Sequence, residues 1–252
     1  MWHNVRQLQL AASALTAAAL LALLGGLGYW VMQRPMFNLH QILVEGDVEH
    51  VNAPTVRGSV VNRLHGNFFT VDLDQARQAF ESMPWIQHAG VRRVWPNGLA
   101  VTLEEFRPIA TWGDEDQMVS VDGDLFTANQ AEVDEDMPAF YGPAGSEKIV
   151  LARYRDFVKW FAPLGLTPEE VTLSPRYAWT VRLSNGTQVE LGREHKASTL
   201  QERVQRLVKA WPQATQRWGK DIEYADMRYT NGFALRSANL RFISDPKAAK
   251  QK

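Results

Sequence analysis

The sequence predicts an α+β protein: a single N-terminal transmembrane helix, a small β-α-α-β-β module, then a mostly antiparallel β domain with two helices. Three observations carry this reading. From Leu8 to Met32 the chain is uncharged and almost wholly apolar. Between Phe37 and Glu105 the apolar residues run from strand-like to helical spacing and back. Beyond residue 107, Gly-containing turn signals separate short β-rich runs, and two amphipathic helical stretches interrupt them.

The first element is the apolar stretch. No charged residue occurs between Arg6 and Arg34. A helix over residues 8–32, rising about 1.5 Å per residue, is roughly 37 Å long, enough to cross a hydrocarbon core of about 30 Å. Arg6 marks one end; Tyr29, Trp30 and Arg34 mark the other as interfacial anchors. A cleaved signal peptide has a shorter apolar core and ends in small residues. Here the end is Tyr29-Trp30-Val31-Met32, too bulky for such a site. The stretch therefore reads as an uncleaved signal anchor, with residues 1–7 a short cytoplasmic tail and the body exported. Within it Ala14, Ala18, Ala22 and Gly26 recur every four residues. Such a small-residue stripe permits close helix packing in lipid, although an Ala-rich span also produces one by chance.

The β-α-α-β-β module is expected over residues 35–106. Phe37, Leu39, Ile42 and Val44 read as a strand that stops at Gly46. Asn52 suits a helix cap, with Pro54 in the first turn and Val56, Val60, Val61 and Leu64 at helical spacing. Asp72 begins a second helix, with Gln75 in capping-box position; Leu73, Ala76, Phe80 and Met83 form its inner face, and Pro84 ends it. Ile86 to Val94 and Leu99 to Glu105 then read as two strands joined by Trp95-Pro96-Asn97-Gly98, where Asn-Gly is a hairpin signal.

The β domain is expected over residues 107–243. Met118–Val121 and Leu125-Phe126 flank a turn at Asp122-Gly123. Val150, Leu151, Tyr154, Phe157, Val158 and Phe161 share one helical face, ended by Pro163 and Gly165. Trp179 to Leu183 and Thr187 to Leu191 form a hairpin around Ser184-Asn185-Gly186. Ala197, Leu200, Val204, Leu207, Val208 and Trp211 define a second helix that Pro212 should close. Strands near 221–228 and 232–240 follow, and residues 244–252 read as a disordered polar tail.

Composition excludes several classes. A net charge of −1 argues against a nucleic-acid binder. The absence of cysteine removes disulfides, thiolate metal sites and cysteine nucleophiles. The six histidines are scattered without metal-ligand spacing, and no nucleophile elbow, phosphate loop or dinucleotide fingerprint occurs. Glu104 and Glu105 are adjacent on a strand and so face opposite ways, unsuited to flanking one scissile bond. Neither a catalytic site nor a cofactor, metal or small-molecule substrate is expected. Charge is unevenly spread: residues 108–147 contain no Lys or Arg, whereas Arg193, Arg203, Arg206, Lys209, Arg228 and Arg236 follow. These are either solvated faces or a basic surface for an acidic partner.

The run from Phe69 with Val71-Asp72, through Pro84-Trp85, Val91-Arg92-Arg93 and Trp95-Pro96, to Leu103-Glu104-Glu105, Pro108 and Ala110-Thr111-Trp112 resembles the signature of the bacterial FtsQ/DivIB division family. Met137-Pro138 with Tyr141-Gly142-Pro143, Leu191-Gly192-Arg193 and Asp226-Met227-Arg228-Tyr229 with Gly232 extend the resemblance, with Met for Leu at 137 and 227. It implies that the first module is a POTRA domain. It further implies a non-enzymatic divisome scaffold in the inner membrane, single-pass and type II, with its body periplasmic and located at the septum. Such a protein binds FtsB and FtsL through the end of the β domain, a partner segment adding as a strand to a sheet edge, and reaches other divisome proteins through the POTRA domain and transmembrane helix. On this resemblance Arg193 pairs with an acidic partner side chain and Tyr229 supplies a buried aromatic contact, unless it is a core tyrosine of the last hairpin. Arg228, Asn231 and Phe233 are the further partner-binding candidates.

Two other readings compete. A POTRA-bearing envelope chaperone or outer-membrane assembly component uses the same strand addition, but usually carries several POTRA units and a barrel, and no barrel-like run of amphipathic strands follows here. A tethered envelope enzyme needs a compact polar constellation that the sequence does not show.

Overall fold

A computed structural model describes residues 5–46, 48–60, 63–113, 116–133, 137–195, 198–219 and 222–237. Residues 1–4 of the expected N-terminal tail, Val61, Ala197, position 221 and positions 238–240 of the last two expected strands, and the tail 244–252 lie outside the described residues. The chain divides into two compact units, residues 1–105 and 106–252.

The first unit opens with helix α1, Val5–Met32. Its stretch Leu8–Met32 is long and apolar enough to cross a membrane, and none of it is buried against the protein. Ala14, Ala18, Ala22 and Gly26 are exposed along it. A 3₁₀ turn at Pro35–Phe37 follows, so Phe37 does not open the first strand as its alternation suggested. Proline at the start of that turn favours the tight bend, and strand β1 begins at Gln41–Glu45. Helices α2 (Ala53–Val60) and α3 (Leu73–Glu81) come next, then strands β2 (Ile86–Val94) and β3 (Gly98–Glu105). The sheet order is β1-β3-β2, with β1 parallel and β2 antiparallel to β3.

Local chemistry explains these elements. The Asp72 carboxylate accepts from the N–H groups of Asp74 (2.9 Å) and Gln75 (3.1 Å), satisfying donors that the first turn of α3 leaves free. Val94 pairs with Gly98, so the β2–β3 loop is Trp95-Pro96-Asn97, and the expected turn glycine is already in the strand. Val56, Val60, Phe80, Met83, Ile86, Val101 and Leu103 close one core between the helices and the sheet. At its end, the Glu105 carboxylate accepts from the N–H groups of His50 (3.0 Å) and Val51 (3.0 Å) and from His50 Nδ1 (2.9 Å). His50 in turn stacks on Trp85 at 3.9 Å. Glu104 points the other way and is exposed, as strand alternation requires.

Among the described residues of the second unit, nine strands form one sheet. They are β4 (Pro108–Trp112), β5 (Gln117–Ser120), β6 (Leu125–Thr127), β7 (Ala139–Tyr141), β8 (Pro168–Leu173), β9 (Ala178–Leu183), β10 (Gln188–Arg193), β11 (Ile222–Asp226) and β12 (Ala234–Ser237). Their order is β12-β11-β10-β9-β8-β7-β4-β5-β6. Five of its eight pairings are antiparallel; β4–β7, β7–β8 and β10–β11 are parallel. Helices α4 (Glu147–Phe161) and α5 (Leu200–Trp218) pack against each other and the sheet. The core they close contains Phe140, Phe157, Phe161, Trp179, Val204 and Leu207.

Helix α5 corrects one expectation. It runs through Pro212 to Trp218. Proline removes one backbone donor, a cost of about 3 kcal/mol in a helix interior. Trp211 and Ala214, on either side of it, are both buried in the core, and that burial offsets the loss. The helix begins at Thr199, whose side chain accepts from the Glu202 N–H while Glu202 accepts from the Thr199 N–H. This reciprocal capping box holds the N-terminus.

Candidate partner-binding edge

The resemblance places its candidate residues at the β12 end of the nine-stranded sheet. Three segments build this region: the end of β10, the loop from β11 to β12, and the first turns of α5.

Strand β10 ends in a bulge between Glu190 and Gly192. Gly192 has φ of +71°, and a Cβ there would lie 2.9 Å from Cγ of Arg228. Only glycine fits both constraints. The close approach lets Arg228 lie across the strand. Its guanidinium grips Asp226 with two bonds, Nε to Oδ1 at 2.9 Å and Nη2 to Oδ2 at 2.6 Å, and its backbone N–H donates to Oδ1 at 3.0 Å. Asp226 is buried, and these Arg228 donors hold its carboxyl below the usual carboxylate range. Arg228 is raised correspondingly by Asp226. Its charge is therefore committed inside the chain, and it shapes the edge more than it offers a free cation.

Two arginines of α5 fasten the flanking loops. Arg203 is buried; it donates through Nε to Ser198 Oγ (3.1 Å), through Nη1 to the carbonyls of Leu191 and Arg193, and through Nη2 to the Ser198 carbonyl (3.2 Å). Burial and the neighbouring Arg206 draw its pKa below the ordinary guanidinium value, Glu194 opposing them. Arg206 Nη1 donates to the carbonyls of Tyr229 (2.9 Å) and Gly232 (3.3 Å). From α4, Arg153 pairs with Glu194 at 2.9 Å. Both loops are thus held at their backbones, leaving side chains outward.

Arg193 is exposed, and among the described residues no carboxylate pairs with it. Tyr229 is 58% exposed, so it is not a core tyrosine. Asn231 is exposed as well. Phe233 differs: it is half-buried and packs on the core. Beyond them β12 is the end strand, with no neighbour on its outer side among the described residues. Its outer backbone groups can accept an added strand.

Sequence reasoning missed Arg203 as the organiser of this region. The signal was present: position 203 lies three residues after Leu200, on the inward stripe of α5. A charge on that stripe needs buried acceptors, and here carbonyls supply them.

Two family models match in tandem. Residues 37–106 match the POTRA domain, FtsQ-type, and residues 110–228 match the FtsQ/DivIB C-terminal domain of cell division proteins. The chain belongs to the FtsQ/DivIB family. It is 67% identical over 251 residues, the full length of both chains, to the cell division protein FtsQ of Burkholderia pseudomallei. It is 44% identical to FtsQ of Bordetella pertussis, covering 95% of this chain and 94% of that one. Against FtsQ of Nitrosospira multiformis the identity is 39%, covering 94% and 99%. The family assignment bears out the resemblance and the α+β architecture. The C-terminal model stops at residue 228, so Tyr229, Asn231 and Phe233 of this FtsQ-family protein lie just past it.

Proposed function

We propose that this FtsQ-family protein is a single-pass, type II inner-membrane scaffold of the division septum, its body periplasmic, that recruits FtsB and FtsL by strand addition to β12. It works by binding and positioning, without turnover. The observation that supports this best is the end strand itself, with Tyr229 exposed on the loop leading into it and Arg193 exposed at the end of β10, one strand removed from β12, their backbones held by Arg206 and Arg203. Main-chain bonds along β12 give affinity; Tyr229 gives an aromatic anchor, and Arg193 reads an acidic side chain. Asn231 borders the same strand, Phe233 supports it from the core side, and Arg228, exposed but paired with Asp226, shapes its approach. The α1 stripe of Ala14, Ala18, Ala22 and Gly26 is part of the same proposal, as a face for a partner helix.

Pull-down of the full-length chain by the periplasmic segment of FtsB tests the edge. Tyr229→Ala and Arg193→Glu should each weaken capture at least tenfold, the effect of about 1.4 kcal/mol. Wild-type capture by both variants refutes the site.

A further inference from the structure

The POTRA unit carries an aromatic cluster at the end where α1 stops. Phe37 is buried at its centre, and its ring lies 4.9 Å from Phe69 and 5.7 Å from Trp95. Phe68 meets Phe69 at 5.2 Å and Trp95 at 5.5 Å, both edge-on. The cluster is not sealed. Trp95 is 66% exposed, Phe69 37% and the adjoining Met36 60%. Large apolar side chains in contact and open on one side need a cover.

Covalent and hydrogen-bonded continuity with α1 says what the cover is. Asn67 Nδ2 donates to the carbonyl of Met32, the last residue of the helix, at 2.8 Å. The Phe68 N–H donates to the Phe37 carbonyl at 2.8 Å, tying the 67–69 loop to the linker. An apolar span of roughly 37 Å exceeds a hydrocarbon core of about 30 Å, so its end lies in the headgroup layer, and the loop bonded to it is at the same level. Charge agrees. Arg34 lies over the Trp30 ring at 3.4 Å. Arg93 reaches the Phe68 carbonyl through Nε (2.8 Å) and the Val71 carbonyl through Nη2 (2.8 Å), which places a second guanidinium on the backbone of the loop that carries Phe68 and Phe69. Exposed Trp and Phe with arginines at headgroup depth is the composition of a membrane interface.

We infer that the exposed face of the Phe37–Phe68–Phe69–Trp95 cluster seats in the lipid headgroup layer, so that the POTRA domain is docked on the bilayer rather than hanging from a free linker. This rests on the membrane-anchored part of the proposed function, not on the partner edge. The chain has no cysteine, so single probes are unambiguous. Phe69→Cys, Trp95→Cys and His88→Cys, each labelled with a polarity-sensitive fluorophore, are made in the full-length chain in phosphatidylethanolamine–phosphatidylglycerol vesicles. His88 is the control: it is exposed on β2, six residues before Val94 and so roughly 20 Å along the strand. The probes at 69 and 95 should be quenched severalfold more by headgroup-nitroxide lipid than the probe at 88, and be shielded from aqueous iodide. If all three are equally open to iodide, docking on lipid is refuted. Alkaline extraction separates the two readings: a chain that washes out of the vesicles overturns the anchor and the docking together, whereas one that stays but shows water-exposed probes overturns only the docking.

Discussion

Replacing Arg203 by alanine should destabilise the second unit by about 3 kcal/mol, because buried carbonyls left without a donor cost about 1–3 kcal/mol each. The arginine serves three carbonyls and one hydroxyl. The Arg193 carbonyl is on an exposed residue and can turn to water, but Leu191 is fully buried and Ser198 is 8% exposed. Two stranded acceptors therefore set the size of the effect, and loss of the buried charge relieves part of it. Arg203→Lys retains the charge but has one nitrogen where three now point different ways, so it should recover less than half of the loss. Urea unfolding of the full-length chain in detergent, followed by hydrogen exchange at the β9 and β10 amides, measures both. The loop between β10 and α5 should lose protection first, and FtsB capture should fall with it. A loss under about 1 kcal/mol for the alanine variant, within the range of ordinary surface substitutions, refutes the view that this arginine organises the edge.

Two other outcomes follow from the same geometry. Asp226 has a folded pKa lowered below its usual value, chiefly by the hydrogen bond from Arg228. Its stabilising contribution is therefore present above the unfolded carboxylate pKa of about 3.9 and is lost as pH falls through the lower folded value. Asp226→Asn should thus unfold more easily at pH 7 yet show a flatter loss of stability below about pH 4, measured as the urea midpoint against pH. In the first unit, Glu105→Ala should cost roughly 2–4 kcal/mol, since bonds to a carboxylate are worth about 1.5–3 kcal/mol each and do not add fully. It strands the N–H groups of Glu49, His50 and Val51, and thermal unfolding of the POTRA unit reports it.

Much of the fold was legible because its signals are local. Asp72 caps α3 through groups two and three residues away, and the Trp179–Leu191 hairpin is set by a turn in which Gly186 takes φ of +82°. Strand β8 was not read, since Pro168-Glu169-Glu170 hides its start, and β7 was too short to show alternation. Both lie inside the sheet, where pairing on two sides overrides weak local preference. Pro212 misled for the related reason that packing of Trp211 and Ala214 outweighs a local break. At the candidate edge, the motif residues were visible but their division of labour was not. Arg228 and Arg193 look alike in the sequence and both are exposed; the structure shows the carboxylate of Asp226, two residues away, turned onto Arg228, while no described carboxylate pairs with Arg193.

By itself the sequence determined the apolar helix, the hairpins, the capped helix α3 and the family, because each depends on residues close together or on a contiguous signature. The tertiary structure alone decided which strand ends the sheet, that Tyr229 faces outward, that Arg203 holds a loop from the core, and that Phe37, Phe68, Phe69 and Trp95 meet beside the end of α1. Those outcomes depend on groups tens of residues apart competing for the same buried space and the same hydrogen bonds, and no local pattern records who wins.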